Sequence, residues 1–155
     1  MSLNLLNSVQ PGTYTVNVVA YMTAHENNEF VSAPFTLRVL DTSCQATQIV
    51  QPQTPIGTLV YKVEDASVPT EHVFAEILDS VSEAAGLSTH CGVREYSLDT
   101  NEVASVDSAT RTISVEIPSA RFDLVGTHDL NLNVNLPNYN LSFQVAFKVE
   151  ITHAC

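Results

Sequence analysis

Few residues in this chain have the types and spacing to do chemistry. Three cysteines (Cys44, Cys91, Cys155), five histidines (His25, His72, His90, His128, His153) and 17 acidic residues are the candidates. A structural zinc site needs ligands at short, paired spacings, such as Cys-x-x-Cys. No such pair occurs: His90 lies beside Cys91 and His153 close to Cys155, with no further ligand nearby. Calcium needs several oxygens at one point, normally concentrated by an Asp-x-Asp loop. Glu64, Asp65, Asp79, Asp99, Glu102, Asp107 and Asp123 are the acidic candidates, and none sits in such a loop. They read as scattered surface carboxylates, so no metal is expected. Hydrolytic and phosphoryl-transfer chemistry leaves signatures too: a Gly-x-Ser-x-Gly elbow, a phosphate loop, a His-Glu-x-x-His pair. None is present, and the five glycines are not clustered. Ser88, His90 and Asp99 are near in sequence, but triads assemble in space, not along the chain. The expectation is a protein that is not an enzyme and has no cofactor.

One modification motif stands out. Asn140-Leu141-Ser142 is an N-glycosylation acceptor, and Pro137-Asn138-Tyr139-Asn140 before it is turn chemistry. Asn140 is therefore expected on an exposed turn, where a glycan has room. The many serines and threonines leave room for O-linked glycans as well.

Charge restricts the partners. Six basic against 17 acidic residues give a net charge of −11 over 155 residues. Duplex binding needs a basic stripe that displaces counterions, so nucleic acid is not an expected partner. An anionic membrane surface is disfavoured for the same reason. No apolar run approaches the roughly 18–20 residues that span a bilayer, so membrane insertion is not expected. Met1 to Asn7 has neither a basic stretch nor a long apolar one, so no signal peptide is expected there.

The elements that must position these groups are strands. Leu130, Leu132, Val134 and Leu136 alternate with Asp129, Asn131, Asn133 and Asn135; Phe143, Val145, Phe147, Val149 and Ile151 alternate with Gln144, Ala146, Lys148 and Glu150. Period two sends one set to a core and the other to water. With the turn at 137–140 between them, the two runs form a hairpin. Shorter alternations recur at Tyr14-Val16-Val18-Ala20, Phe35-Leu37-Val39, Leu59-Tyr61-Val63 and Ile113-Val115-Ile117. Short one-sided strands with frequent turn signals read as an antiparallel sandwich. Residues 70–86 dissent. Thr70 as N-cap, Glu71 in the first turn and Gly86 as C′ fit a helix, with Val73, Phe74, Ile77, Leu78 and Val81 at helical spacing. A sandwich needs a strand here instead, for which residues 72–78 are the better fit.

The chain also repeats itself. Val9 to Val18 is similar to Asp123 to Leu132, sharing Gly-Thr before an alternating run. Phe35-Thr36-Leu37-Arg38-Val39 is similar to Phe147-Lys148-Val149-Glu150-Ile151. Each copy then reaches a cysteine, Cys44 or Cys155. Residues 44–155 thus read as a complete domain and residues 1–43 as the terminal hairpin of a second copy. A lone hairpin is marginal in water, so it should pack on its own domain or on a neighbouring chain.

Three segments carry a family resemblance: Tyr96-Ser97-Leu98, Asp107 through Val115, and Asp123 through Leu130. Their aspartate-led turn, Thr-x-Thr-Ile strand and Val-Gly-Thr step resemble the later strands of dystroglycan-type cadherin-like domains. Cys44 and the Cys91-Gly92 pair are similar to the framing cysteines of tandem immunoglobulin-like repeats in large surface proteins of protists and algae. The resemblance implies an all-β, immunoglobulin/cadherin-like antiparallel β-sandwich, preceded here by the extra hairpin. It also implies an extracellular or cell-surface location and a spacer, adhesion or fibre-forming role. The acidic junction motifs of classical cadherins are not evident, which argues against calcium-dependent adhesion.

From the repeat, Cys44 is expected to pair with Cys91 inside the domain. Cys155 is then left unpaired within the chain, or pairs with another chain. The expected function is structural: a module that associates head-to-tail with copies of itself, N-terminal hairpin on neighbour, into a fibril or tandem surface array. The alternative is an adhesion or ligand-binding module that recognises protein or glycan through its loops.

Overall fold

A computed structural model describes residues 9, 11–22, 25–52, 54–63, 69–118 and 121–153. The chain is mostly strand. The two longest strands, β10 (Gly126–Leu136) and β11 (Leu141–Thr152), pair antiparallel from Gly126↔Ile151 to Leu136↔Leu141. The expected turn 137–140 closes them. Leu130, Leu132, Val134, Leu136, Val145, Phe147, Val149 and Ile151 are buried, while the residues between them face outward. Half-burial of one hairpin thus follows directly from its period of two.

Five shorter strands complete this sheet and build a second one. β7 (Glu95–Leu98) lies antiparallel on β10, and β5 (Thr58–Lys62) lies parallel on β11, giving the order β5-β11-β10-β7. A three-stranded antiparallel sheet has the order β6-β9-β8, from β6 (Thr70–Val73), β8 (Ser105–Asp107) and β9 (Thr112–Val115). Both sheets contribute to one core, with Tyr61, Leu132 and Val149 from the first and Ile113 and Val115 from the second. The buried Tyr61 hydroxyl donates to the Ile117 carbonyl at 3.1 Å. Phe74 and Tyr96 meet edge to face at 5.0 Å, and the Ile77 N–H donates to the Tyr96 hydroxyl.

Two expectations need correction. The sheets are not antiparallel throughout, because β5 joins β11 in parallel. Parallel neighbours need a long crossover, and all of the chain from β6 to β10 serves as one. Residues 70–86 are neither one helix nor one strand. Thr70 opens β6 instead of capping a helix, and Phe74 and Ile77 enter the core. The helix, α1 (Ser80–Ala85), starts later with Asp79 as its N-cap, its carboxylate accepting from the Ser82 N–H at 3.0 Å. Gly86 ends it at φ 64°, the left-handed position expected for it. Pairing with β9 offers β6 more than local propensity offers a longer helix, since isolated short helices are marginal.

Before the larger sheet, β1 (Gly12–Val16) pairs with β4 (Phe35–Val39), and β2 (Val19–Met22) with β3 (His25–Val31). The single strand expected from Tyr14 to Ala20 is broken at Asn17-Val18. Between Val16↔Phe35 and Val19↔Val31 one strand advances three residues and the other four. The extra residue lies at Ser32-Ala33-Pro34, where proline has no N–H for the ladder.

The two hairpins share a register. Gly12 pairs with Val39 as Gly126 pairs with Ile151. Thr13 pairs with Arg38 as Thr127 with Glu150, and Val16 with Phe35 as Leu130 with Phe147. Their surroundings differ. Phe147 is 4% exposed and Phe35 43%. No described residue before Cys44 belongs to the core, and Val19, Phe30, Val31, Phe35 and Leu40 are exposed.

Candidate assembly interface

The hairpin meets the rest of the chain at a small polar joint. Arg38 on β4 donates through its guanidinium to the Asn138 carbonyl in the β10–β11 turn. The Asp41 N–H donates to the Tyr139 hydroxyl at 2.9 Å. Asp41 also caps the 3-10 turn Thr42–Ala46, accepting from the Ser43 N–H at 2.9 Å and the Ser43 hydroxyl at 2.7 Å. Its other oxygen lies 2.9 Å from His90 Nε2. One aspartate therefore ties the end of the hairpin to both the 137–140 turn and the loop before Cys91.

These bonds hold the Asp41 carboxyl down at a pKa of about 2, the Ser43 hydroxyl contributing most and His90 next. A depressed carboxylate stabilises the fold above its unfolded pKa, and that contribution fades as pH falls toward 2. Asp41→Asn should therefore flatten the loss of thermal stability between about pH 4 and pH 2 relative to the parent chain. Thermal unfolding followed across that range checks this; parallel pH profiles for the two proteins would contradict it.

Cys44 and Cys91 are joined just beyond this joint, with Cα atoms 5.6 Å apart and both residues fully buried. Leu136 completes the cluster around them. Gly92, next to Cys91, has φ 104° and faces the Asn138 side chain, where an added Cβ would lie 2.4 Å from the amide nitrogen. The positive φ is what favours glycine there; the Asn138 amide is a side-chain end that can turn aside.

Behind the disulfide sits a buried ion pair. Arg94 and Asp79 have side chains 1% and 2% exposed and are bonded to each other. Arg94 also donates to the Ser88 carbonyl at 2.5 Å and to Glu76 at 3.1 Å. Asp79 accepts from Thr47 at 2.7 Å as well as from Ser82. Asp79, expected among the surface carboxylates, lies instead in the interior. The composition gave no sign of this, because a buried pair looks the same as a surface pair in sequence.

The remaining expected site residues are dispersed. Asn140 is exposed on the turn, with φ 55°. Asp99 accepts from Asn133 at 2.8 Å on the outer face of the larger sheet. Glu102 and Asp123 both pair with Arg121, and Asp107 closes its own turn with Ala109 and Thr110. Glu64, Asp65 and Cys155 lie outside the described residues. Among the described residues no three His, Cys, Asp or Glu groups converge to hold a metal ion. The residues that sequence reasoning missed are Arg38, Asp41, Tyr139 and Arg94. Their partners lie far along the chain, so no local pattern announces them.

The joint and Thr152 lie at opposite ends of β11. That strand runs from the 137–140 turn, beside Asp41, to Thr152. Twelve residues of strand cover about 40 Å. At the far end Phe122 stacks edge to face on His153 at 4.8 Å, and Phe122 and Val125 are exposed. Among the described residues no helix is long and apolar enough to cross a membrane. A scan against protein-family models finds no match, and no curated protein matches the chain.

Proposed function

We propose that the chain is an extracellular structural module that assembles head-to-tail with copies of itself into a fibril or tandem surface array. The single observation that carries this reading is the shared register of the two hairpins with its unequal cover. One copy has a sheet neighbour on each edge and a core beneath it. The other repeats the pairing and, among the described residues, has neither. Exposed apolar groups of that kind mark an interaction surface.

Other features support the same reading. Order β5-β11-β10-β7 against β6-β9-β8, with β5 parallel to β11, suits an immunoglobulin-like sandwich spanning residues 44–155. Residues 1–43 then form the terminal hairpin of a second copy. The joint and the apolar Phe122–Val125 surface, at opposite ends of β11, suit end-to-end growth, because a heterologous contact that does not close propagates. The Cys44–Cys91 disulfide suits an oxidising compartment. Asn140, exposed at the turn beside the joint, is the glycan site of this reading. Cys155, outside the described residues, is the cysteine that this reading leaves unpaired within the chain or joined to a neighbouring copy.

Light scattering on a size-exclusion column tests the proposal. The parent chain should show a mass that rises with concentration above the 16.8 kDa of one copy. Phe35→Asp should remain at one copy. A parent chain that is monomeric throughout, with residues 9–40 resistant to protease, would favour the adhesion module instead.

A further inference from the structure

The outer face of the larger sheet holds a hollow that neither the joint nor the hairpin uses. Its two central strands set side chains in rows: Lys148 opposite Asp129, Ala146 opposite Asn131, and Gln144 opposite Asn133. In those three rows Ala146 is the small apolar member. The space left above its methyl opens into a cleft of about 460 Å³, bounded on the β5 side by Pro55, Gly57 and Thr58. Small-ligand sites have volumes of about 300–1,000 Å³.

Its polar walls are set before any ligand arrives. Gln144 donates to the Asn133 carboxamide oxygen at 3.0 Å, and Asn133 donates to Asp99 at 2.8 Å. Asn131 donates to the other Asp99 oxygen at 3.4 Å. Each amide thus spends a donor within the network, which fixes its plane. The Asn131 oxygen is left with no donor among the described residues. Beside it, Lys148 and Asp129 form an ion pair whose side chains are both more than half exposed. That pair presents an ammonium donor and a carboxylate acceptor next to each other. Groups held in place this way lose little freedom on binding.

These features select one class of ligand. The ion pair sums to zero and the whole chain carries −11, so an anion gains nothing here. Phe147 lies in the lining but is buried with its ring toward the core, so no aromatic face is offered to a nucleobase. β10 and β11 are interior strands, so no main-chain edge is offered to a peptide. A neutral sugar meets each condition. Its C–H face can rest on Ala146 and Pro55. Its neighbouring hydroxyls can donate to Asp129 and Asn131 and accept from Lys148. We infer that this cleft binds one ring of a neutral oligosaccharide, with Ala146 as its floor and Asn131, Asp129 and Lys148 as its polar contacts. The site lies on a sheet face, away from the loops, and does not depend on whether the chain self-associates.

Saturation-transfer NMR on the full chain tests this, because it reads the sugar and tolerates a protein of any size. The probes are maltose, cellobiose, mannobiose and chitobiose, with digalacturonate as the anionic control. At least one neutral disaccharide should show saturable transfer to its C–H protons, with a Kd on the order of 1 mM. Digalacturonate should show less. Ala146→Leu fills the hollow and leaves the charges and the amide network in place; it should weaken binding about tenfold or more. Asn131→Ala, which removes the free oxygen, should weaken it about fivefold. Val60→Leu, on the same face beyond the cleft, should bind as the parent does. Ala146 and Val60 are exposed, so both leucine variants should melt with the parent, which separates lost binding from lost fold. No transfer to any of the four neutral sugars, undiminished transfer in Ala146→Leu, or equal transfer to digalacturonate would overturn the inference.

Discussion

Arg94→Met should destabilise the protein by about 3–5 kcal/mol, because it leaves the Asp79 carboxylate buried without its cation. Asp79 is 1% exposed, and it caps α1 and accepts from Thr47, so it cannot turn out to water without breaking both. The pH dependence follows from the same group. Burial pushes the Asp79 pKa up; the bonds from Ser82 and Thr47 and the Arg94 charge outweigh it and hold the pKa below its ordinary value. Stability from Asp79 is therefore present above the unfolded pKa and declines as pH falls through the folded one. Without Arg94 the carboxyl takes up a proton more readily, so the deficit of Arg94→Met should be largest near neutrality and shrink in acid. Urea unfolding at pH 7 and pH 4 measures both effects. A second variant separates the pair from its parts. Arg94→Met with Asp79→Asn keeps an acceptor for the helix cap and removes both charges. It should lose less than Arg94→Met alone, since it leaves no buried charge without its partner. A deficit that does not change with pH, and that the double variant does not relieve, would mean the loss is packing alone.

Removing the disulfide is the other large change. Cys44→Ala with Cys91→Ala opens a loop of 47 residues, which the chain-entropy account values at about 4 kcal/mol. Both half-cystines are fully buried beside Leu136, so the alanines also leave unfilled space. The loss should not be uniform. Cys44 lies three residues after Asp41, so the joint to the hairpin loosens first. Proteolysis should cut residues 9–44 of the variant well before it cuts β10 and β11. Denaturant unfolding gives the total, and limited proteolysis with mass analysis gives the order. An unfolding midpoint equal to that of the parent, with no early cut near the joint, would remove the disulfide from the account.

How much of this is legible in sequence depends on how local the cause is. β10 and β11 are plain because each carries its own alternation, and half-burial is written into every second residue. The same holds for Leu59-Tyr61-Val63 and Ile113-Val115-Ile117. The break in the first hairpin strand was not legible at Asn17-Val18, because its cause lies on the opposite strand at Pro34. Residues 70–86 carry one local signal that holds, the C-cap at Gly86, and one that holds only in part, a strand over 72–78 that β6 meets at His72 and Val73 alone. The cap between them, Asp79, was hidden by a plausible rival at Thr70. Parallel pairing of β5 with β11 depends on a crossover made by most of the chain, which no window shows. The joint is the clearest case. Arg38 finds Asn138, and Asp41 finds Tyr139, across about a hundred residues. What sequence did carry was the repeat, and its matched positions turn out to be paired in one register.

The central claim is that residues 9–40 form part of an unfinished copy that a neighbour covers. Negative-stain electron microscopy of the concentrated parent chain tests it most directly. The account predicts unbranched linear particles, with an axial repeat on the order of 40 Å set by the length of β11, and their loss in Phe35→Asp. Compact single particles at every concentration, identical in parent and variant, would contradict it.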